Sequence, residues 1–161
     1  MIEMQVDGIA FDAATMSPIV MLTDSDGRRA LPIWITQEQA KAIKLAINQQ
    51  MAPRPLTHDL MVNILEGWEM ELDRVVIHSL KDNTYYAQLR LKQGDQTRDV
   101  DARPSDAIVL ALRLDAPVWV MEEVISNASI PVDQDEDERE RREFRQFLSN
   151  LSPDDFAKFG N

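Results

Sequence analysis

Residues 84–102 read TYYAQLRLKQGDQTRDVDA, and the way this stretch pairs with itself decides the fold. Taking Gly94-Asp95 as a two-residue hairpin loop sets Leu89 opposite Val100 and Arg90 opposite Asp99. One register therefore yields both an apolar pair and an ion pair. The strands expected are Thr84–Lys92 and Thr97–Ala102. Upstream, Lys81-Asp82-Asn83 is a turn and Leu72–Leu80 the strand before it. His78 falls in phase with Val76 and Leu80 in that strand and reads as structural. Downstream, Arg103-Pro104-Ser105-Asp106 puts proline where a first helical position belongs. The helix Ala107–Leu114 is apolar on every side except at Arg113, the pattern of a buried helix. Pro117–Met121 then reads as another strand.

The first half of the chain reads as a meander and a helix. Ile2, Met4 and Val6 alternate with polar residues, and after Gly8 the phase shifts to Ile9 and Phe11, which suggests a bulge. Pro18–Thr23 and Arg29–Ile35 are strands joined at Asp24-Ser25-Asp26-Gly27, with Asp24 facing Arg29. Thr36 and Gln39 match a capping box. Ala40, Ile43 and Ile47 follow at helical spacing, and the helix ends near Met51. A second helix opens at Arg54-Pro55-Leu56-Thr57-His58-Asp59, with Thr57 as N-cap and Leu60, Ile64 and Leu65 as its buried stripe.

Composition changes at Pro131. Residues 133–143 hold seven acids against three arginines, with Asp137–Arg141 and Glu138–Arg142 spaced as helix-supporting pairs. Phe144, Phe147, Leu148 and Leu151 form an apolar stripe, and Ser152-Pro153-Asp154-Asp155 is a well-formed start for one more helix. The fold expected is α+β: a mixed, largely antiparallel sheet of about seven strands with three packed helices, plus a charged C-terminal helical tail. The body spans residues 1–130 and the tail 131–161.

Charge and composition limit what such a chain does. A net charge of −11 repels phosphate backbones and anionic membranes unless a local basic patch or a bound cation reverses the field. With no cysteine, a thiol nucleophile, a zinc–thiolate site and a disulfide framework are all excluded. The alternating start is unlike a signal peptide and no stretch is apolar enough to span a bilayer, so the expected address is the cytoplasm, without a membrane partner. Five glycines form no phosphate-cradling loop, and there is no nucleophile elbow or zinc-protease histidine pair.

What remains is an echo: Arg54-Pro55 with Asp59 downstream, and Arg103-Pro104 with Asp106 downstream, each where an irregular stretch enters a helix. A helix start offers unpaired N–H groups and a positive dipole end, and an arginine beside it adds bidentate recognition of a phosphate or carboxylate. The aspartates equally suit a structural role, satisfying first-turn N–H groups. His58 at the first corner suits a general base or a metal ligand. Asp101 and Asp106 are carboxylates of the kind that hold Mg²⁺ or Mn²⁺, which bridge to phosphate and offset the acidic charge.

Three segments, Leu31-Pro32-Ile33-Trp34-Ile35, Arg54-Pro55-Leu56-Thr57-His58-Asp59-Leu60 and Asp101-Ala102-Arg103-Pro104-Ser105-Asp106-Ala107-Ile108, resemble in order and spacing the bifunctional nuclease domain family. The resemblance spans roughly residues 1–128 and implies an α+β fold, a homodimer and cleavage of both DNA and RNA. It leaves the tail aside. The expected chemistry is hydrolysis of phosphodiester bonds, with His58, Asp59 and Asp106 catalytic. Arg54, Arg103 and Ser105 would bind phosphate, and Asp101 and Asp106 a divalent cation. The competing expectation is a non-catalytic dimeric binding or regulatory module whose Arg-Pro corners are structural or hold a small anion. Convergence of the two corners around one cleft separates the two.

Overall fold

The computed structural model describes residues 1–132 and 134–150. In chain order the elements are β1 (Ile2–Phe11), β2 (Pro18–Asp24), β3 (Arg29–Trp34), α1 (Gln37–Ile47) and α2 (Thr57–Gly67). Then come β4 (Glu71–Lys81), β5 (Thr84–Gln93), β6 (Gln96–Ala102), α3 (Pro104–Leu114) and β7 (Val118–Val120). The chain continues through α4 (Glu122–Ala128), β8 (Ile130–Pro131) and α5 (Gln134–Asn150). The class is α+β as expected, with eight strands in place of seven and five helices among the described residues. The sequence reading lacked α4, only seven residues long, and β8, a two-residue strand.

The hairpin that opened the sequence reading forms in the expected register: Leu89 pairs with Val100 and Arg90 with Asp99. Gly94 takes φ +56°, a left-handed conformation that suits glycine in the loop. Both guanidinium–carboxylate hydrogen bonds of Arg90 and Asp99 are 2.9 Å long. At the preceding turn Asp82 and Asn83 both take positive φ, as a tight two-residue turn requires. In β1 the register against β2 shifts between Val6 and Gly8, so the change of phase is a bulge. The β2–β3 register ends at Thr23 opposite Ala30, and the Asp24 carboxylate accepts from the backbone N–H groups of Arg28 and Arg29.

The sheet order is β6-β5-β4-β7-β1-β2-β3-β8. Two antiparallel meanders, β1–β3 and β4–β6, meet on β7, which runs antiparallel to β1 and parallel to β4. The Tyr85 hydroxyl on β5 donates to the Pro32 carbonyl on β3 at 3.1 Å, across four intervening strands, so the sheet curls strongly. Burial pushes the Tyr85 hydroxyl pKa up.

The core lies between the sheet and the helices α1, α3 and α4. Helix α1 carries the full Thr36–Gln39 capping box and buries Ala40, Ile43 and Ala46. It ends at Ile47, which is exposed rather than buried, four residues before the expected end at Met51. Helix α3 starts at Pro104 and buries Ala107 to Ala111 without a break. In α2 the N-cap is Leu56, not Thr57, and the helix is turned the other way from expectation. Leu60 and Ile64 face outward, while Asp59 and Leu65 are buried and Met61 and Val62 partly so. Leu151 and the helix start at Ser152 lie outside the described residues, as do the side chains of Asp137 and Glu138 in the expected pairs Asp137–Arg141 and Glu138–Arg142 and that of Leu148.

Candidate functional site

The two Arg-Pro corners meet. Helix α2 packs on α3, and His58 Nε2 lies 2.8 Å from Asp106 Oδ1, joining helix starts 48 residues apart in sequence. The other oxygen of the same carboxylate accepts from Arg103 Nε at 2.7 Å. A carboxylate only accepts, so the proton of the imidazole resides on Nε2 and Nδ1 carries the lone pair of the neutral ring. Burial raises the pKa of the Asp106 carboxyl, but hydrogen bonds from Arg103 and His58 and the positive charge of Arg103 outweigh it and leave the group below its ordinary value.

The Arg103 side chain is 69% exposed, and among the described residues only its Nε is engaged. Arg54 is exposed and has no hydrogen-bond or ion-pair partner among the described residues. Helix α3 has no side-chain cap, so the N–H groups of Ser105 and Asp106 are left for a ligand or water; the first i→i−4 bond is that of Ala107 to Arg103. Ser105 itself is buried, beneath the surface at which Arg103 is exposed.

Asp59 sits beneath this surface with only 4% exposure. Its Oδ2 accepts from the Leu56 backbone N–H at 3.0 Å, half of a capping box, since leucine has no acceptor to supply the other half. Its Oδ1 faces Arg113 Nε at 3.7 Å. Arg113 also donates to the Gln50 carbonyl at 2.7 Å and to Met51 Sδ at 3.3 Å, fastening the loop between α1 and α2 onto α3. Arg113 is the member of this constellation that the sequence reading left unassigned. The available signal was a single charge in an otherwise apolar helix, which has to find a partner.

Asp101 is exposed on β6 opposite Gln88 and makes no ion pair among the described residues. Asp99 is paired with Arg90, which holds its carboxyl below the ordinary range. Among the described residues no group of three or more His, Asp or Glu side chains is placed to hold a metal ion. Both Asp106 oxygens already receive donors, so these side chains form no ready-made cation cage.

A family model described as bifunctional nuclease domain matches residues 20–133. Over 162 aligned residues the chain is 39% identical to a Mycobacterium tuberculosis protein described as uncharacterized, covering 96% of this chain and 97% of the relative. It is 25% identical over 126 residues to bifunctional nuclease 1 of Oryza sativa, covering 76% of this chain and 38% of that protein. With bifunctional nuclease 2 of Arabidopsis thaliana the identity is 31% over 114 residues, covering 66% and 33%. No helix among the described residues is long and apolar enough to cross a membrane.

Proposed function

The chain belongs to the bifunctional nuclease domain family, and on that premise we propose that it hydrolyses phosphodiester bonds of DNA and RNA at the joined Arg-Pro corners, as a cytoplasmic homodimer. The observation that carries this reading is the 2.8 Å contact between His58 and Asp106, which gathers a base, the Arg103 guanidinium and two helix starts at one surface.

In the proposed reaction Arg54, Arg103 and the free N–H groups at the start of α3 brace the phosphoryl oxygens and stabilise charge as it builds. His58 Nδ1 takes a proton from the attacking water, while Asp106 holds the ring and stabilises the imidazolium that forms. The water oxygen bonds to phosphorus, one P–O ester bond breaks, and the leaving alkoxide takes a proton from solvent. The products are a phosphomonoester and an alcohol. Asp59 acts here as a positioning residue, because its carboxylate is buried and engaged on both oxygens. A divalent cation, Mg²⁺ or Mn²⁺, would be held by Asp101 and Asp106 and would supply charge neutralisation at the phosphate.

The test is a cleavage assay on DNA and RNA with protein freed of host nucleases, a chelator control, and His58→Ala and Asp106→Ala alongside. Loss of cleavage in both variants with the fold intact is expected. Cleavage that survives in both would sink the assignment in favour of a non-catalytic module.

A further inference from the structure

Helix α2 is apolar on both sides. Its inner side packs on α3, while Leu56, Leu60, Ile64 and Trp68, spaced every fourth residue, form an outward ridge with exposures of 48, 53, 51 and 68%. The positions between them on that side are Thr57, Asn63 and Gly67, so the face carries no charge in a chain whose net charge is −11. Loss of charge at the centre of a patch is what separates an interface from ordinary surface. The four side chains expose on the order of 400 Å² of contiguous apolar area, the size of the largest patch on a typical monomer, which is often functional. That is about half of the ~800 Å² per partner that a stable interface buries.

We propose that this face is where a second copy of the chain docks, α2 packing antiparallel on its twin. The ridge is symmetric about Val62: Leu60 comes level with the partner's Ile64, and Leu56 with the partner's Trp68. An every-fourth-residue ridge packs into the grooves of an identical one. The antiparallel sense sets the positive start of each helix beside the negative end of the other. Gly67 supplies a notch, since a Cβ built there meets nothing within 4 Å in the single chain. His58 and Asp59 lie on the inner side of the helix, so docking leaves the corner open and borders it with the partner's Trp68. This specifies the homodimer of the proposed function and stands apart from the cleavage chemistry.

Light scattering and sedimentation of the full chain test it. The expected result is a dimer that becomes a monomer in Leu60→Asp/Ile64→Asp and in Gly67→Glu, the second leaving the single chain's packing untouched. Because the chain has no cysteine, a single introduced thiol is unambiguous. Asn63→Cys should cross-link two chains through a short bis-maleimide, and Lys41→Cys on α1 should not. A wild-type monomer at every concentration, including one whose own tail covers the ridge, overturns the proposal. So does a dimer indifferent to both sets of substitutions, or cross-linking at Lys41 alone.

Discussion

Asp59 and Asp106 each occupy the third position of a helix opened by an Arg-Pro corner, and in sequence they look interchangeable. Asp59 is 4% exposed, ties back to the Leu56 N–H and faces the partly buried Arg113. The Asp106 side chain is 26% exposed and shares its two oxygens between His58 and Arg103 at the surface. The same local chemistry has been divided by depth: one aspartate fixes where the corner sits, and the other faces what arrives there. A repeated motif therefore specifies a local conformation, while burial specifies its use.

The largest effect expected is on the surface member. Asp106→Ala should lower kcat at least about 100-fold, the scale of a lost acid–base partner, with little change in the urea midpoint. Asp59→Ala should do the reverse. Leaving Arg113 partly buried without its counter-charge costs about 3 kcal/mol, read as a fall in the urea midpoint, while the folded fraction keeps most of its turnover. A variant that lost turnover at full stability would erase the distinction between the two aspartates. Arg54→Ala should raise KM about tenfold with kcat nearly unchanged, the share of one charge-assisted phosphate contact.

The smallest effect serves as a control outside both corners. Hydrogen bonds from Lys92 and then Arg74 hold the Asp73 carboxyl below its ordinary value. A depressed folded pKa contributes stability above the unfolded value of about 3.9, and that contribution is lost as pH falls through the folded value. Asp73→Asn should therefore slightly reduce stability at neutral pH, flatten its decline below about pH 4, and leave cleavage unaltered. An equal loss of cleavage would show that the assay reads general stability rather than the corner.

How much the sequence revealed tracks the range of each interaction. The Arg90–Asp99 register, the Thr36–Gln39 box and the bulge at Gly8 follow from residues within a turn or a hairpin of one another, and all three formed. The orientation of α2 did not follow, because leucine and isoleucine lie on both its sides and the deciding contact, Asp59 to Arg113, spans 54 residues (113 − 59). Both corners were visible as separate helix starts. Their meeting through His58 and Asp106 is tertiary, set by how α2 lies on α3, and no local pattern encodes it.

The central position of β7 has a consequence for assembly. Each meander forms from neighbours in sequence, but among the described residues Val118–Val120 is the only link between β1 and β4 in the sheet. A chain leaving the ribosome thus has two half-sheets with unsatisfied edges until residue 120 emerges, and closure then brings Ile2 beside Val120. Three residues made late thus weld the molecule, and the period before they appear is when it is most exposed to mispairing with its neighbours.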